Sequence, residues 1–177
     1  ELPVWDSYDY IASVSSEVTK TFVQVFPTLA QKIIKIENIL SPNFVRRRAE
    51  EFDVHDTLLT AHSPKHIAKF NLLSVGRFCE AKNYDNVPDI CNKALELLKD
   101  ENIDIKWYII GFGADENLIR QKIAEAGMQE HVIILGKKEN PYPYIKACDI
   151  YVQPSRYEGK SVTVREAQML CKPVVVT

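Results

Sequence analysis

From residue 71 onward, short apolar runs alternate with stretches of helical period. Asn71-Leu72-Leu73-Ser74-Val75, Ile105 to Ile110, His131 to Leu135, Asp149-Ile150-Tyr151-Val152-Gln153 and Pro173-Val174-Val175-Val176-Thr177 are brief and rich in β-branched and aromatic residues. Each is bounded by turn residues, which predicts strands buried on both faces of a parallel sheet. Between them, Val87, Ile90, Cys91, Ala94, Leu95 and Leu98 recur at i, i+3, i+4, i+7, i+8 and i+11, the strongest helical period in the chain. Leu118, Ile119, Ile123 and Ala126 form the inward face of a helix from about Asp115 to Ala126, with Gly127 as its C′ residue. Asn140 and Pro141 read as N-cap and first residue of a short helix carrying Tyr144, Ile145 and Cys148. Roughly 18 residues separate the last two runs, enough for a βαβ crossover. Strict alternation of strand and helix predicts an α/β fold built on a doubly wound parallel, Rossmann-like sheet.

The first 70 residues are less regular. Tyr8 to Ser13 reads as a strand, Ser15 as the N-cap of a helix with Val18, Phe22, Val25 and Phe26 on one face, and Pro27 as its stop. Lys32 to Ile36 is a second strand, and Ser41-Pro42 a turn. Arg46 to Lys69 is a polar passage whose Arg46-Arg47-Arg48 run suits either an anion patch or a solvated helical turn paired with Glu50 and Glu51. Its three histidines, His55, His62 and His66, lack regular metal-ligand spacing. The weak apolar period from Asn38 to about Lys69 marks an interdomain crossing.

Composition narrows the class. With 177 residues, 46% hydrophobic and 26% charged, the chain can bury a sizeable core. Its net charge of -2 gives no broad electrostatic footprint for nucleic acid. Four cysteines without C-x-x-C spacing, Cys79, Cys91, Cys148 and Cys171, lie in or beside apolar segments and read as buried reduced thiols of an intracellular protein, with no zinc site. No transmembrane run or signal peptide is visible, and the lack of an initiating methionine suggests a fragment.

The chemistry-bearing residues gather after the strands, where ligands bind in open parallel sheets. Gly76, Arg77 and Lys82 follow the first run, Gly111 and Gly113 the second, Gly136, Lys137 and Lys138 the third, and Glu158, Gly159, Lys160 and Ser161 the fourth. Cations, glycines that admit close backbone approach and a helix N-terminus suit a diphosphate. The carboxylates Glu158 and Glu166 suit sugar hydroxyls, because an ionised carboxylate accepts from two vicinal O–H groups. Bland readings stand beside these: Gly111-x-Gly113 as an ordinary tight turn, Arg77 and Lys82 as solvated cations, and Thr163-x-x-Glu166 as a capping box.

Pro154-Ser155-x-x-Glu158-Gly159 followed by Glu166-Ala167, with seven residues between the two glutamates, resembles the signature of the large retaining GT-B glycosyltransferase family often called family 4, or glycosyl transferases group 1. Gly76-Arg77-x4-Lys82 and Gly111-x-Gly113 resemble two further motifs of that family, in the same order. Ala12-Ser13-Val14-Ser15 and Ile36-Glu37-Asn38 resemble its passage from the N-terminal domain into the linker. The resemblance implies one half of a GT-B fold: residues 1-45 as the last elements of an N-terminal acceptor domain and the linker start, and 46-177 as a C-terminal nucleotide-sugar-binding domain truncated at its end. It departs from the pattern where Ile39, Asn83 and Cys171 stand in place of common glycines.

By the same resemblance, Arg77 and Lys82 neutralise the donor diphosphate without a metal, and no D-x-D motif is present. Glu158 engages the sugar, the backbone at Gly159 to Ser161 meets the diphosphate, Glu166 binds the ribose, and Gly136 to Lys138 flank the base. The expected partners are a nucleotide-sugar donor and a glycan or lipid-linked acceptor held by the missing N-terminal domain, with no nucleic acid and no cofactor. The expected place is the cytoplasm, including the cytoplasmic face of a membrane, and the expected setting is cell-surface polysaccharide or glycoconjugate assembly. The fragment alone is expected to transfer little sugar. Two rival classes are a nucleotide-dependent oxidoreductase, against which Glu116 at the third glycine position counts, and a noncatalytic glycan- or protein-binding domain.

Overall fold

The computed structural model describes residues 2–54 and 68–177. The three histidines His55, His62 and His66 lie outside the described residues. The chain divides into two compact units, Glu1–Leu40 with Glu158–Val162, and Ser41–Tyr157 with Thr163–Thr177.

The first unit holds α1 (Leu2–Asp6), β1 (Ile11–Ser13), α2 (Ser16–Val25) and β2 (Ile33–Lys35), with β1 and β2 paired in parallel. The strand expected from Tyr8 is thus confined to three residues. Ser15 caps α2 as its residue type predicts, its hydroxyl accepting from the Val18 N–H at 3.2 Å. Pro27 both stops the helix and opens a short 3-10 turn, Pro27–Leu29. The apolar face of α2 is only partly covered. Phe22 and Phe26 pack with ring centroids 5.0 Å apart, and Trp5 meets Phe22 edge-on, whereas Val18 and Val25 are exposed. A two-stranded ribbon offers too little surface to bury the whole stripe.

The second unit contains α3 (Pro42–Ala49), β3 (Ala68–Val75), α4 (Val87–Leu98), β4 (Ile103–Ile110), α5 (Glu116–Glu125), β5 (Val132–Gly136), α6 (Tyr142–Ala147), β6 (Ile150–Gln153), all but the first residue of α7 (Val162–Met169), and β7 (Val174–Val176). Its five strands are all parallel, in the order β5-β4-β3-β6-β7. The doubly wound, Rossmann-like sheet is therefore present. Strand β4 shows why the second half of its sequence, Trp107 to Ile110, is apolar on both faces. Tyr108 and Ile110 enter one core with Leu73, Tyr151 and Ile145, while Ile105, Trp107 and Ile109 enter the other with Phe78, Val87 and Ile119. Val175 and Val176, expected to be buried, are exposed, because among the described strands β7 pairs only with β6.

Helix ends follow local chemistry. Gly127, at φ 65°, closes α5 in a Schellman motif, with Met128 N–H donating to Ile123 O at 2.9 Å and Gly127 N–H to Ala124 O at 3.1 Å. Helix α6 begins at Tyr142, one residue after the expected start, yet Asn140 still serves its first turn by accepting from Tyr142 N–H at 3.2 Å. Ile90 and Leu118, counted on inward faces by their spacing, are exposed at the margins of those faces. The Arg46–Arg48 run closes α3. Arg48 pairs with Glu51 at 2.9 Å, Arg46 donates to Met169 O and Arg47 lies over the Phe44 ring, while Glu50 pairs with Lys146 instead of the expected arginine. All four cysteines are free thiols; Cys91 and Cys148 are buried, but Cys79 is half-buried and Cys171 exposed.

Candidate functional site

In the second unit the chain runs outward from β3 through β4 to β5, then returns to place β6 on the other side of β3. The strand order reverses between β3 and β6, so a crevice opens beyond their carboxyl ends. Gly76-Arg77 leaves β3 there, and Pro154-Ser155 leaves β6. Two of the motifs therefore flank one topological switch point.

Three loops are locked together at this edge. Gly76 N–H donates to Ile110 O at 3.0 Å and Phe78 N–H to Phe112 O at 2.9 Å, so the loop after β3 lies directly on the loop after β4. A side chain at Gly111 would put its Cβ 1.9 Å from Gly76 O, and one at Gly113 would sit 2.2 Å from Phe78 O. The Gly-x-Gly spacing is thus required by backbone contact with the neighbouring loop. At Gly76 an added Cβ would approach Lys82 Cε to 3.5 Å, which places the Lys82 stem beside the β3 exit. Arg77 is exposed and Lys82 half-buried.

Arg156 ties the third loop in. Its guanidinium grips Asp85 with two hydrogen bonds, 3.0 and 2.7 Å, and donates to Glu80 O, while its N–H donates to Ala81 O at 2.9 Å. The guanidinium holds the Asp85 carboxyl below its ordinary range. Beneath, Tyr151 donates to Gln153 Oε1 at 2.9 Å, and Gln153 Nε2 donates to Ser155 Oγ at 2.8 Å. This buried chain fixes the Pro154-Ser155 turn, and Thr163 Oγ1 reaches the same Gln153 oxygen at 3.3 Å.

A cavity of about 250 Å³ opens on the same edge, lined by Gly76, Arg77, Gly111, Phe112, Lys137 and Lys138 among others. Phe112 is exposed, with Lys137 Nζ 5.0 Å from its ring centroid. Lys138 lies over Tyr144 at 5.7 Å. Gly136 adopts φ 71° where β5 ends, at an irregularity in its pairing with β4.

Glu166 is buried on α7, 6% exposed, and its carboxylate accepts from Tyr142 Oη at 2.8 Å. Burial raises its pKa, and the Tyr142 hydrogen bond opposes that rise. The phenol is pushed up to about 12, by burial first and by the carboxylate second. Thr163 lies inside α7 and donates to Gln153, so Glu166 is a second-turn residue and not the third residue of a capping box.

Glu158, Gly159, Lys160 and Ser161 belong to the first unit. There Lys160 forms an ion pair with Glu37, which also meets Lys35 at 3.2 Å, and these two lysines hold the Glu37 carboxyl below its ordinary range. The structure brings Gly76, Arg77, Lys82, Gly111, Gly113, Gly136, Lys137, Lys138 and Glu166 to the second unit, the first eight around or beside its crevice and cavity. Sequence reasoning missed Arg156, Phe112 and Tyr142. Only their places beside motif residues could have drawn attention to them. Among the described residues, no cluster of three or more histidine, cysteine or acidic side chains could hold a metal, and no helix is long and apolar enough to cross a membrane.

Comparison with known proteins gives a consistent result. The family model described as "Glycosyl transferases group 1" matches residues 61–177. The capsular polysaccharide biosynthesis glycosyltransferase CapH of Staphylococcus aureus is 26% identical over 171 residues, 92% of this chain and 46% of that protein. Among solved structures, HepE of Anabaena in complex with UDP and glucose superposes with a TM-score of 0.72 at 19% identity, covering 95% of this chain and 44% of that one. A mutant of S. aureus TarM in complex with Fondaparinux, alpha-GlcNAc-glycerol and UDP gives a TM-score of 0.71 at 18% identity, covering 97% and 30%. The chain spans less than half the length of the curated relatives it matches.

Proposed function

The chain belongs to the glycosyl transferases group 1 family, and on that premise we propose that it forms the nucleotide-sugar-binding part of a retaining glycosyltransferase of family 4. The reading rests foremost on the switch point of the second unit, where Arg77 leaves β3 beside a 250 Å³ cavity bordered by Gly111, Lys137 and Lys138, and the Lys82 stem lies against Gly76. In this reading the two cations face the donor diphosphate. Glycosyl transfer leaves growing negative charge on the departing diphosphate, and fixed cations stabilise that charge more in the transition state than in the ground state. The base lies against the Gly136 to Lys138 backbone and the ribose hydroxyls meet Glu166. Assignment of Glu158 to the sugar, and of Gly159 to Ser161 to the diphosphate, rests on the motif. No metal is needed for this scheme.

The setting is assembly of a cell-surface polysaccharide or glycoconjugate on the cytoplasmic side of a membrane, with a glycan or lipid-linked acceptor bound by the rest of the protein. The name of CapH supports this setting, and the UDP complexes of HepE and TarM support a nucleotide donor.

Isothermal titration with UDP, GDP, ADP, the corresponding nucleosides and NAD tests the proposal. One nucleoside diphosphate should bind selectively, and Arg77→Ala should weaken it far more than its nucleoside. Equal weakening of both would refute the diphosphate assignment. Binding of NAD without any nucleoside diphosphate would replace the reading with a nucleotide-dependent oxidoreductase.

A further inference from the structure

We propose that Tyr142 is a positioning residue of the donor site: its hydroxyl occupies one oxygen of the Glu166 carboxylate and leaves the other oriented for the vicinal hydroxyls of a ribose. The inference rests on the reading of Glu166 as a ribose contact and adds the group that makes that contact selective.

The geometry carries it. Tyr142 opens α6 immediately after Pro141, which lines the cavity that holds Arg77 and Lys137, and its hydroxyl reaches Glu166 Oε1 at 2.8 Å. The phenol is held from several sides. Its ring meets Phe44 edge-on with centroids 6.2 Å apart, and its N–H donates to Asn140 Oδ1. Asn140 is itself buried and donates to Arg48 O at 2.8 Å and Glu51 Oε2 at 3.0 Å. Tyr142 is therefore anchored before any ligand arrives.

Glu166 is short of donors. A carboxylate can accept about four hydrogen bonds, and among the described residues its side chain receives one. No lysine or arginine forms an ion pair with it there. A buried carboxylate with one neutral donor and no cation is suited to a ligand that brings hydroxyl donors, since leaving such a group unsatisfied costs stability. The titratable and charged groups near the pair are Tyr142 itself, Tyr151 on β6 and Arg48 at the end of α3. Burial pushes the carboxyl toward its neutral form, and the Tyr142 donor holds it toward the charged acceptor form. Without the phenol hydroxyl, more of Glu166 is protonated at a given pH and fewer acceptor sites face the ligand.

The test compares this chain with Tyr142→Phe. The Glu166 carboxyl is titrated by carbon-13 NMR without ligand, and the affinities of UDP and 2′-deoxy-UDP are measured between pH 5 and 8. The unmodified chain should favour UDP by at least about tenfold, the contribution of a hydrogen bond to a charged group. Tyr142→Phe should raise the Glu166 pKa, remove most of that preference, and make UDP binding weaken further as the pH falls, with little effect on 2′-deoxy-UDP. If UDP preference survives in Tyr142→Phe with an unchanged pH profile, the inference is overturned while the donor reading stands. If no nucleoside diphosphate binds the unmodified chain, both fall. Should Tyr142→Phe fail to fold, 3-fluorotyrosine at position 142 keeps the shape and makes the donor more acidic. It should then lower the Glu166 pKa, and an unmoved carboxyl titration overturns the inference.

Discussion

Gly111→Ala gives the sharpest test of how the candidate site is built. The new Cβ would stand 1.9 Å from Gly76 O and 2.7 Å from Phe78 Cε1. Carbon and carbonyl oxygen approach to about 3.3 Å at closest, so the two loops must part by about 1.4 Å. That movement breaks the bonds from Gly76 N–H to Ile110 O and from Phe78 N–H to Phe112 O, now 3.0 and 2.9 Å. Two backbone hydrogen bonds at about 0.5–1.5 kcal/mol each, with about 1–3 kcal/mol for overpacking, give a loss of about 2–6 kcal/mol. Gly127→Ala is the control, because its Cβ meets nothing within 4 Å and the substitution is penalised only through φ 65°. A left-handed L-residue costs about 1–2 kcal/mol. Urea denaturation followed by circular dichroism should show a lower midpoint for both variants at unchanged slope, with the larger fall in Gly111→Ala. Equal destabilisation, or a smaller effect at Gly111, would refute the account of Gly-x-Gly as a loop-contact device.

Two further outcomes follow from strained or buried groups. Cys171 is exposed at φ 57°, so Cys171→Gly should relieve about 1–2 kcal/mol of backbone strain, less about 0.4–1 kcal/mol for the freer unfolded chain; a net gain on the order of 0.5–1 kcal/mol raises the thermal midpoint by roughly 1–4 °C, and a fall in the midpoint would show that the thiol contributes packing. Glu166 has a pKa raised by burial above its ordinary 4.5, so its contribution to stability is full below that value and declines as the pH rises through the folded value; Glu166→Gln should therefore gain stability relative to the unmodified chain across that window while losing nucleotide affinity, and a stability difference that does not change with pH would contradict the raised pKa.

The sheet was legible because its strands are dense in apolar residues on both faces, with few polar interruptions. From Trp107 to Ile110 both period-two faces are apolar, and that is the pattern of a strand covered by helices on both sides, as β4 is. Positions lying at the edge of an apolar stripe were less legible. Ile90 and Val25 keep the helical period of their neighbours yet are exposed, because the width of the buried stripe is set by the opposing surface and not by the helix. Arg156 and Tyr142 were illegible for a related reason. Each acts through a partner far away in sequence, Asp85 for Arg156 and Glu166 for Tyr142, and no local spacing encodes such a meeting.

The departures from the family pattern show what the motif glycines specify. Asn83 and Cys171 stand where glycine is common, and both nevertheless hold the left-handed backbone, at φ 60° and 57°. Asparagine visits that region more readily than most residues, and cysteine does not, so the same turn is kept at different cost in the two places. Asn83 also gains a local partner, its Oδ1 accepting from Asn86 Nδ2 at 2.6 Å at the start of the turn that leads into α4. A left-handed backbone held without glycine is set by the surrounding contacts: Lys82 lies beside Gly76, and β7 returns beside β6. These two left-handed turns thus set the backbone path that places Lys82 beside Gly76 and returns the chain to the last strand.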